Sequence, residues 1–226
     1  MNIYDLYSQL YLRKNMFKLN YEITKEDNYV TLSFNADSYD IFIALRLQFD
    51  SVLRWSNFSY LLKNEIHKNI YRLITNDLLK YYKEDDLILT VRDFYQNSYS
   101  FSQDIQNQEE LEIYLSEFLK CVKFYETEIF PKLTDIHFLA DYVGSVPFEQ
   151  RSEIVVGGSF PLQLFKKIAI LKWGNHPRYE EYKDETQKLI ELYAIKKPEK
   201  AEEVKLFQKG FEKLIYHLEN EPNPFL

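Results

Sequence analysis

Four histidines, one cysteine and many carboxylates are the residues of this chain whose types could do chemistry. The histidines form no His-x-x-x-His or Glu-x-x-His pair, the spacings that hold a metal on one helix face; they are His67, His137, His176 and His217. His137 and Asp141, four residues apart on a predicted helix, are the one pair that could share a metal. His176-Pro177 is better explained as a capping and turn element. We predict no metal site and no cofactor.

The candidate nucleophiles lack the partners that would activate them. Cys121 has no histidine or basic cluster beside it in sequence, which favours an inert thiol on a helix flank over a reactive one. Ser159 lies in no Gly-x-Ser-x-Gly motif. Gly157-Gly158-Ser159 precedes a predicted helix, where free N–H groups can cradle phosphate. Without the Gly-Lys-Ser/Thr ending of a P-loop, a flexible strand-to-helix turn is favoured, and we predict no catalytic residue.

Charged residues gather at two places late in the chain. Four carboxylates near the start of one predicted helix are dense enough for a paired acid and base: Glu180, Glu181, Asp184 and Glu185. They form like-charged pairs four residues apart, which the helix dipole tolerates near an N-terminus, so solvated first-turn charge is the better interpretation. The preceding helix carries three lysines, too few for a nucleic-acid footprint in an acidic protein: Lys166, Lys167 and Lys172.

The net charge of −7 is unevenly distributed. Residues 104–153 contain eleven acidic and four basic side chains, and the rest of the chain is balanced. A solvated face is one interpretation of this segment. In the other, its field disfavours nucleic acid and steers a basic protein partner to the central helices.

The longest unbroken helical pattern runs from Asn107 to Pro131. Asn107 is the predicted N-cap, Glu110 stands three residues later as in a capping box, and Pro131 ends the pattern. One face of this helix is apolar and consists of Leu111, Tyr114, Leu115, Phe118, Val122, Tyr125 and Ile129. Beside it lies an acidic stripe of three residues, our candidates for partner binding: Glu110, Glu117 and Glu128.

Before this helix, the spacing of apolar residues changes along the chain from a helical period to a strand period. Asn2 and Asp5 start a short amphipathic helix, after which apolar residues alternate with a period of two. Three antiparallel strands in a meander are predicted over residues 18–49. Residues 60–82 have a weaker helical pattern and are predicted to be a helix. Leu87 to Val91 is predicted to be a fourth strand, and Tyr99 with Phe101 to begin a fifth.

The elements after it are predicted to be helices. A short one ends at Gly144, another runs from Pro161 to Gly174, and two more, separated near Pro198, form an antiparallel hairpin. The last residues, 221–224, are predicted to be loose. Strands first and helices afterwards indicate an α+β protein, in which helices cover an antiparallel sheet of four to five strands.

We predict one α+β domain over residues 1–226, with a helix and sheet in residues 1–105 and a mainly helical part in residues 106–226. No run of about 18 uncharged apolar residues occurs, so neither a signal peptide nor a membrane span is predicted. A single cysteine excludes an internal disulfide framework, which is typical of a reducing cytoplasm.

Four features carry a family resemblance: the N-terminal helix, the meander, a long helix ending in Ile129-Phe130-Pro131, and a later helix ending in Gly174-Asn175 before Tyr179. In outline the chain resembles a loose group of small bacterial cytosolic α+β domains of unknown function, some of which serve as immunity proteins to polymorphic toxins. The resemblance implies a binding role and supplies no catalytic residues.

Two functions of different classes follow. The first is a non-enzymatic interaction protein, of immunity type, that binds a basic, toxin-like partner through its acidic central region. The alternative is an enzyme whose tyrosine, histidine and carboxylate residues, distant in sequence, converge over the sheet face. The sequence leaves the oligomeric state open.

Overall fold

A computed structural model of the chain describes residues 2–48, 51–55, 58–63, 65–74, 76–81, 87–91, 94 and 102–226. Contacts along the chain divide it into two compact units. We call Met1–Tyr60 with Thr90–Pro131 the sheet unit, and Leu61–Leu89 with Lys132–Leu226 the helical unit. The division leaves the number of folding domains undecided, so the single domain over residues 1–226 stays a prediction.

The described residues contain a seven-stranded sheet, and with the helices that follow it the predicted α+β fold class is confirmed. The strands are β1 Glu22–Lys25, β2 Tyr29–Asn35, β3 Tyr39–Gln48, β4 Val52–Trp55, β5 Phe58–Leu62, β6 Ile88–Val91 and β7 Ser102–Asp104. Neighbours follow the order β1-β2-β3-β4-β7, while β5 pairs with β3 and with β6.

The first three strands form the predicted antiparallel meander. Ile23 lies opposite Leu32, and Leu32 lies opposite Ile43, so that alternate apolar residues share one face. Leu32 and Ile43 are fully buried. The connecting turns are short, and each is closed by a backbone hydrogen bond such as that from Ala36 N to Tyr39 O, at 2.9 Å.

The segment after the meander corrects the sequence-based assignment. The predicted helix over residues 60–82 begins later, because β5 runs to Leu62 and helix α2 spans Glu65–Leu73, followed by a 3-10 turn at Asn76–Tyr81. Strands β4 and β5 were not predicted, since runs of four or five residues are too short to show a period. The predicted fourth strand is β6. Tyr99 and Phe101 lie outside the described residues.

Helices α1 (Ile3–Leu12) and α3 (Gln108–Phe124) belong to the sheet unit. α1 starts with a capping box, in which Asp5 N donates to Asn2 Oδ1 and Asn2 N donates to Asp5 Oδ2, both at 3.0 Å. The predicted apolar face is confirmed, because all seven of its residues are buried, five in α3 and two, Tyr125 and Ile129, in the turn that follows it. Phe118 is fully buried, with its ring centroid 5.5 Å from that of Trp55.

Helix α3 does not stop at Phe124 but changes geometry. It continues as a π-helical turn, Tyr125–Ile129, and then as a 3-10 turn, Phe130–Thr134. Asn107 caps the start, accepting a hydrogen bond from Glu110 N at 2.9 Å. The Glu110 side chain reaches back one residue further than a capping box requires, because it accepts from Gln106 N, at 2.7 Å.

The helical unit contains α2 and four later helices: α4 Ile136–Val143, α5 Leu162–Trp173, α6 Tyr179–Lys196 and α7 Ala201–Asn220. α5 is buried on nearly every side, as expected for a central helix. α6 and α7 form the predicted antiparallel hairpin, since Lys183 near the start of α6 contacts Glu219 near the end of α7. A 3-10 turn, Pro198–Lys200, joins them.

Gly144 and Gly174 end α4 and α5 as predicted, but the reason is space rather than backbone conformation. Both have negative φ, and the left-handed residue after α5 is Asn175, with φ of 53°. A Cβ on Gly174 would lie 2.2 Å from Ala140 Cβ, and one on Gly144 would lie 2.2 Å from the His176 ring. The glycines therefore allow α4 to approach the end of α5.

The C-terminal tail, which its composition predicts to be loose, is attached to the end of α5. Asn223 Nδ2 donates to Trp173 O at 2.8 Å, and the Phe225 ring centroid lies 5.4 Å from that of Trp173. These contacts hold the tail against the helical unit.

Candidate functional site

A groove of about 510 Å³ runs along the seam between α6 and α7 in the helical unit. We call it the α6–α7 groove. Its lining combines an apolar floor with polar walls and consists of Lys183, Gln187, Ile190, Glu191, Gln208, Phe211, Glu212, Ile215 and Glu219. On α6 the polar members recur every four residues, which places them in one row along the helix.

Two sets of contacts hold the hairpin that forms this groove. At one end, Glu219 accepts from Lys183 Nζ at 3.0 Å and from the Tyr179 hydroxyl at 3.1 Å. At the other end, the Tyr193 hydroxyl donates to Glu203 Oε1 at 3.4 Å. These pairs set the register of the antiparallel helices. By that register, Glu191 and Glu212 lie within about one helical turn of each other along the seam.

The two ends of the groove differ in charge. The hydrogen bond from Lys183 holds the pKa of Glu219 below its usual range, so this end is an internal ion pair. At the opposite end, Glu191 accepts only a neutral amide hydrogen bond, from Gln187 Nε2 at 3.1 Å. Glu212 is exposed and has no hydrogen-bond or ion-pair partner in the described part of the chain. Glu212 lies between the two ends, and among the described residues neither it nor Glu191 has a basic partner.

The chemistry that such a lining supports is recognition of a cation. The described lining contains no histidine, cysteine, serine or threonine. Its carboxylates can accept hydrogen bonds from an ammonium or guanidinium, and the side chains of Ile190, Phe211 and Ile215 offer apolar surface to the stem of such a group.

The three sequence-predicted binding residues lie in the sheet unit, at the start of α3, in its middle and on the π-helical turn that follows it. Glu110 accepts from Gln106 N at the start of α3, as described. Glu117 lies 2.5 Å from Lys120 Nζ, and its side chain is only 17% exposed. Glu128 is exposed on the π-helical turn. Their role in partner binding stays a prediction.

Sequence inspection missed two buried carboxylates, Asp40 on β3 and Glu126. Glu126 lies on the π-helical turn. It is 2% exposed and accepts hydrogen bonds from the backbone N–H groups of Lys18 and Leu19, each at 2.9 Å. Burial and the charge of Glu126 raise the pKa of Tyr21. The signal was present, since Glu126 follows Val122 by four residues and therefore shares the apolar face of the helix.

The histidines play structural parts. His176 is a turn element before α6, because its Nδ1 accepts from the backbone N–H of Arg178, the N-cap residue, at 3.1 Å, and no side chain of the described residues caps the helix itself. Burial lowers the pKa of His176, and the backbone donor places its ring proton on Nε2. His137 and Asp141 have different protein partners: His137 Nδ1 lies 3.2 Å from Gly174 O, while Asp141 Oδ1 lies 4.0 Å from His176 Nε2. Within the described ranges no group of three metal-ligating side chains occurs.

Histidine and carboxylate side chains meet at the end of α7 and beside α4. His217 Nδ1 contacts Glu221 Oε1 at the end of α7, and His176 Nε2 lies 4.0 Å from Asp141 Oδ1. Neither histidine lines the α6–α7 groove. The enzyme alternative is supported by neither pair and stays a prediction.

Three of the four clustered carboxylates of α6 have partners of their own, and these are Glu180, Glu181 and Glu185. Glu181 accepts from Phe148 N and from Arg178 Nη1, both at 2.7 Å. Burial raises the pKa of Glu181, but these two donors outweigh it, so the pKa lies below its usual range. Glu180 pairs with Lys183 at 2.5 Å and Glu185 with Lys188 at 2.6 Å.

Two of the three lysines of α5 are buried, which sequence inspection did not predict. Lys166 is fully buried, with its Nζ beneath Gly158. Lys167 is 1% exposed and donates to Arg151 O. Burial, with a smaller effect from the Arg151 charge, lowers the pKa of Lys167 to about 8.

The remaining motif residues are also accounted for. Gly157 and Gly158 have φ of 68° and 82°, the left-handed region that favours glycine, so this stretch is a tight turn before α5. Cys121 is buried, and burial raises the pKa of its thiol to about 12, which agrees with the inert interpretation.

Comparisons with known proteins add no relative to this description. No protein-family model, curated protein or solved structure matches the chain. None of the helices in the described ranges combines the length and apolar character needed to cross a bilayer.

Proposed function

We propose that the protein is a non-enzymatic binding protein whose α6–α7 groove engages a cationic segment of a protein partner. The observation that carries this proposal is the combination of an apolar floor with two carboxylates, Glu191 and Glu212, that have no basic partner among the described residues. The Lys183–Glu219 pair satisfies the other end of the groove.

The energetics favour a cation that brings its own apolar stem. A fully exposed ion pair contributes only about 0–1 kcal/mol, because water screens it. A guanidinium whose stem lies on Phe211 and Ile215 excludes part of that water, and its fork can bond a carboxylate through two hydrogen bonds. The groove is therefore better suited to a basic side chain within an apolar segment than to a free cation.

The charge of the whole chain supports a basic partner independently. The sheet unit contains nine basic and fifteen acidic residues, and the helical unit is close to neutral. An acidic protein attracts a basic partner over distances of about a Debye length, which speeds association. The resemblance to immunity proteins suggests a basic toxin domain as such a partner.

A peptide selection tests the proposal. Random linear peptides of 16 residues are selected on the immobilised full chain, and the affinities of enriched peptides are measured by fluorescence anisotropy. We expect enriched peptides to combine Arg or Lys with apolar residues. The double variant Glu191→Gln/Glu212→Gln should lower their affinity by about tenfold or more, equivalent to about 1.4 kcal/mol.

The matched control removes the same charge from the same helices outside the groove. Glu185 and Glu202 are paired with Lys188 and Lys205 on α6 and α7. Glu185→Gln/Glu202→Gln should leave peptide affinity within about twofold, since it leaves the groove lining unchanged. Enrichment of acidic or uncharged peptides, or equal losses in both double variants, would contradict the proposal.

A further inference from the structure

We infer that the occupant of the α6–α7 groove is an amphipathic helix of the partner, with an arginine placed about two turns from an apolar anchor. This inference rests on the proposed function and specifies the class of ligand. It follows from the shape of the groove, from its backbone chemistry and from the position of its unpaired charges.

The shape comes from two antiparallel helices lying side by side. The α6 row runs from Lys183 to Glu191, eight residues apart, which corresponds to about 12 Å along the helix axis. A partner helix presents residues i, i+3 or i+4, and i+7 over a similar length. The seam between two packed helices is also the kind of surface into which the side-chain ridges of a third helix fit.

Backbone hydrogen bonding favours a helix over an extended segment. An extended peptide leaves its N–H and C=O groups in need of partners, which a sheet edge supplies. The groove is lined by side chains of α6 and α7, whose backbone groups are bonded within those helices. A helix satisfies its own backbone and needs only side-chain contacts.

The charge pattern gives the occupant a direction. Lys183 and Glu219 neutralise each other at one end, whereas Glu191 lies at the other, two residues before Tyr193, and Glu212 lies between the two ends on α7. An apolar side chain suits the floor near Ile215, and a guanidinium suits the two carboxylates. Arginine suits them better than lysine, because its planar fork donates to two acceptors at once.

Two peptide libraries test this inference on the full chain. Both have 16 positions, and seven of these are randomised identically. One has a helix-forming Ala/Gln framework, and the other carries two central prolines that prevent a helix. We expect enrichment from the helical library alone, with arginine selected at i+7 from a selected apolar residue. Substituting that arginine by glutamine should weaken binding by about tenfold, and by lysine less.

The outcomes separate this inference from the proposed function. If the proline library yields binders that Glu191→Gln/Glu212→Gln abolishes, the helical occupant is wrong and the binding function stands. If neither library yields binders sensitive to that variant, both are wrong. The groove could instead be occupied by a second copy of the chain, and light scattering tests this. A dimer that dissociates in the variant Glu191→Gln/Glu212→Gln would contradict the inference that a partner's helix is the occupant.

Discussion

Phe118 shows how far a single side chain can be predicted from helical spacing. It lies in the middle of the apolar face of α3, and the structure buries it completely against Trp55. We expect Phe118→Ala to lower the free energy of unfolding by about 3–5 kcal/mol, from lost transfer energy and the remaining cavity. Urea denaturation measures it. The exposed neighbour Ser116 is the control, and Ser116→Ala should change stability by less than about 0.5 kcal/mol.

Lys167 makes stability rise with pH, as a carboxylate with a lowered pKa does, but in the alkaline range. Its pKa is about 8 in the folded chain and about 10.4 when unfolded. The folded state binds the proton less tightly, so burial costs stability fully below about pH 8, and that cost disappears as the pH rises toward 10.4. The difference corresponds to roughly 3 kcal/mol.

Lys167→Met should therefore stabilise the protein at pH 7, by about 1–3 kcal/mol after loss of the hydrogen bond to Arg151 O. The gain should shrink toward zero at pH 10. Urea denaturation at both pH values measures it, with Lys172→Met as control, because the Lys172 ammonium lies over Tyr179 and its residue is half-buried. A gain that is equal at the two pH values would exclude burial of the charge as the cause.

At the scale of the element, α7 contains a glycine that helix propensity does not explain. Gly210 is buried in the middle of the helix, and a Cβ there would lie 2.2 Å from Leu78 Cδ1. Propensity alone predicts that Gly210→Ala stabilises the helix by about 1 kcal/mol. We expect the opposite, a loss of about 1–3 kcal/mol, because Leu78 is fully buried and has little room to move.

Thermal denaturation of the variants Gly210→Ala and Lys209→Ala shows whether packing or helix propensity determines the effect of an alanine at position 210. Lys209 is the exposed neighbour in α7, and its substitution reports propensity without a steric change. A melting temperature of Gly210→Ala above that of the wild type would mean that Leu78 and its surroundings adjust at little cost.

Elements with a long repeated pattern could be predicted from the sequence, and short ones could not. The seven-residue apolar face of α3 with the turn that follows it and the ten-residue alternation of β3 extend over several periods. β4 and β5 have four and five residues, and a helix was assigned partly over β5 because Leu62, Ile66 and Ile70 also share a helical spacing. Length, more than residue type, set the limit.

The candidate site was beyond sequence inspection for a different reason. Lys183, Gln187 and Glu191 form a polar row that looks like any solvated helix face until α7 is placed beside it. Buried lysines are hidden in the same way, because nothing in the sequence distinguishes Lys167 from Lys172. Glu126 is the exception, since its position on an apolar face was visible.

At the scale of the whole molecule, the two tryptophans report on the two units separately. Trp55 belongs to the sheet unit and Trp173 to the helical unit. Trp173→Phe leaves only Trp55 as a tryptophan probe, and Trp55→Phe leaves only Trp173. Because the chain passes between the units three times, we expect them to unfold together, as predicted for one domain.

Urea denaturation followed by tryptophan fluorescence should then show, within each variant, the same midpoint as far-ultraviolet circular dichroism. Adding Phe118→Ala to Trp55→Phe should lower the midpoint seen by Trp173, although Phe118 lies in the sheet unit. If Phe118→Ala leaves the denaturation midpoint reported by Trp173 unchanged, the chain has two folding domains instead of one.

The carboxylate of Glu126 has a consequence for folding kinetics. It bonds residues 107 and 108 positions earlier in the chain, so the bonds form only after α3 has docked and a long loop has closed. We expect Glu126→Gln to accelerate unfolding while leaving the folding rate nearly unchanged, as for a contact absent from the transition state. Stopped-flow fluorescence measures both rates. The amides of Lys18 and Leu19 should then gain protection from hydrogen exchange late in folding, and lose it early when the native sheet unit opens.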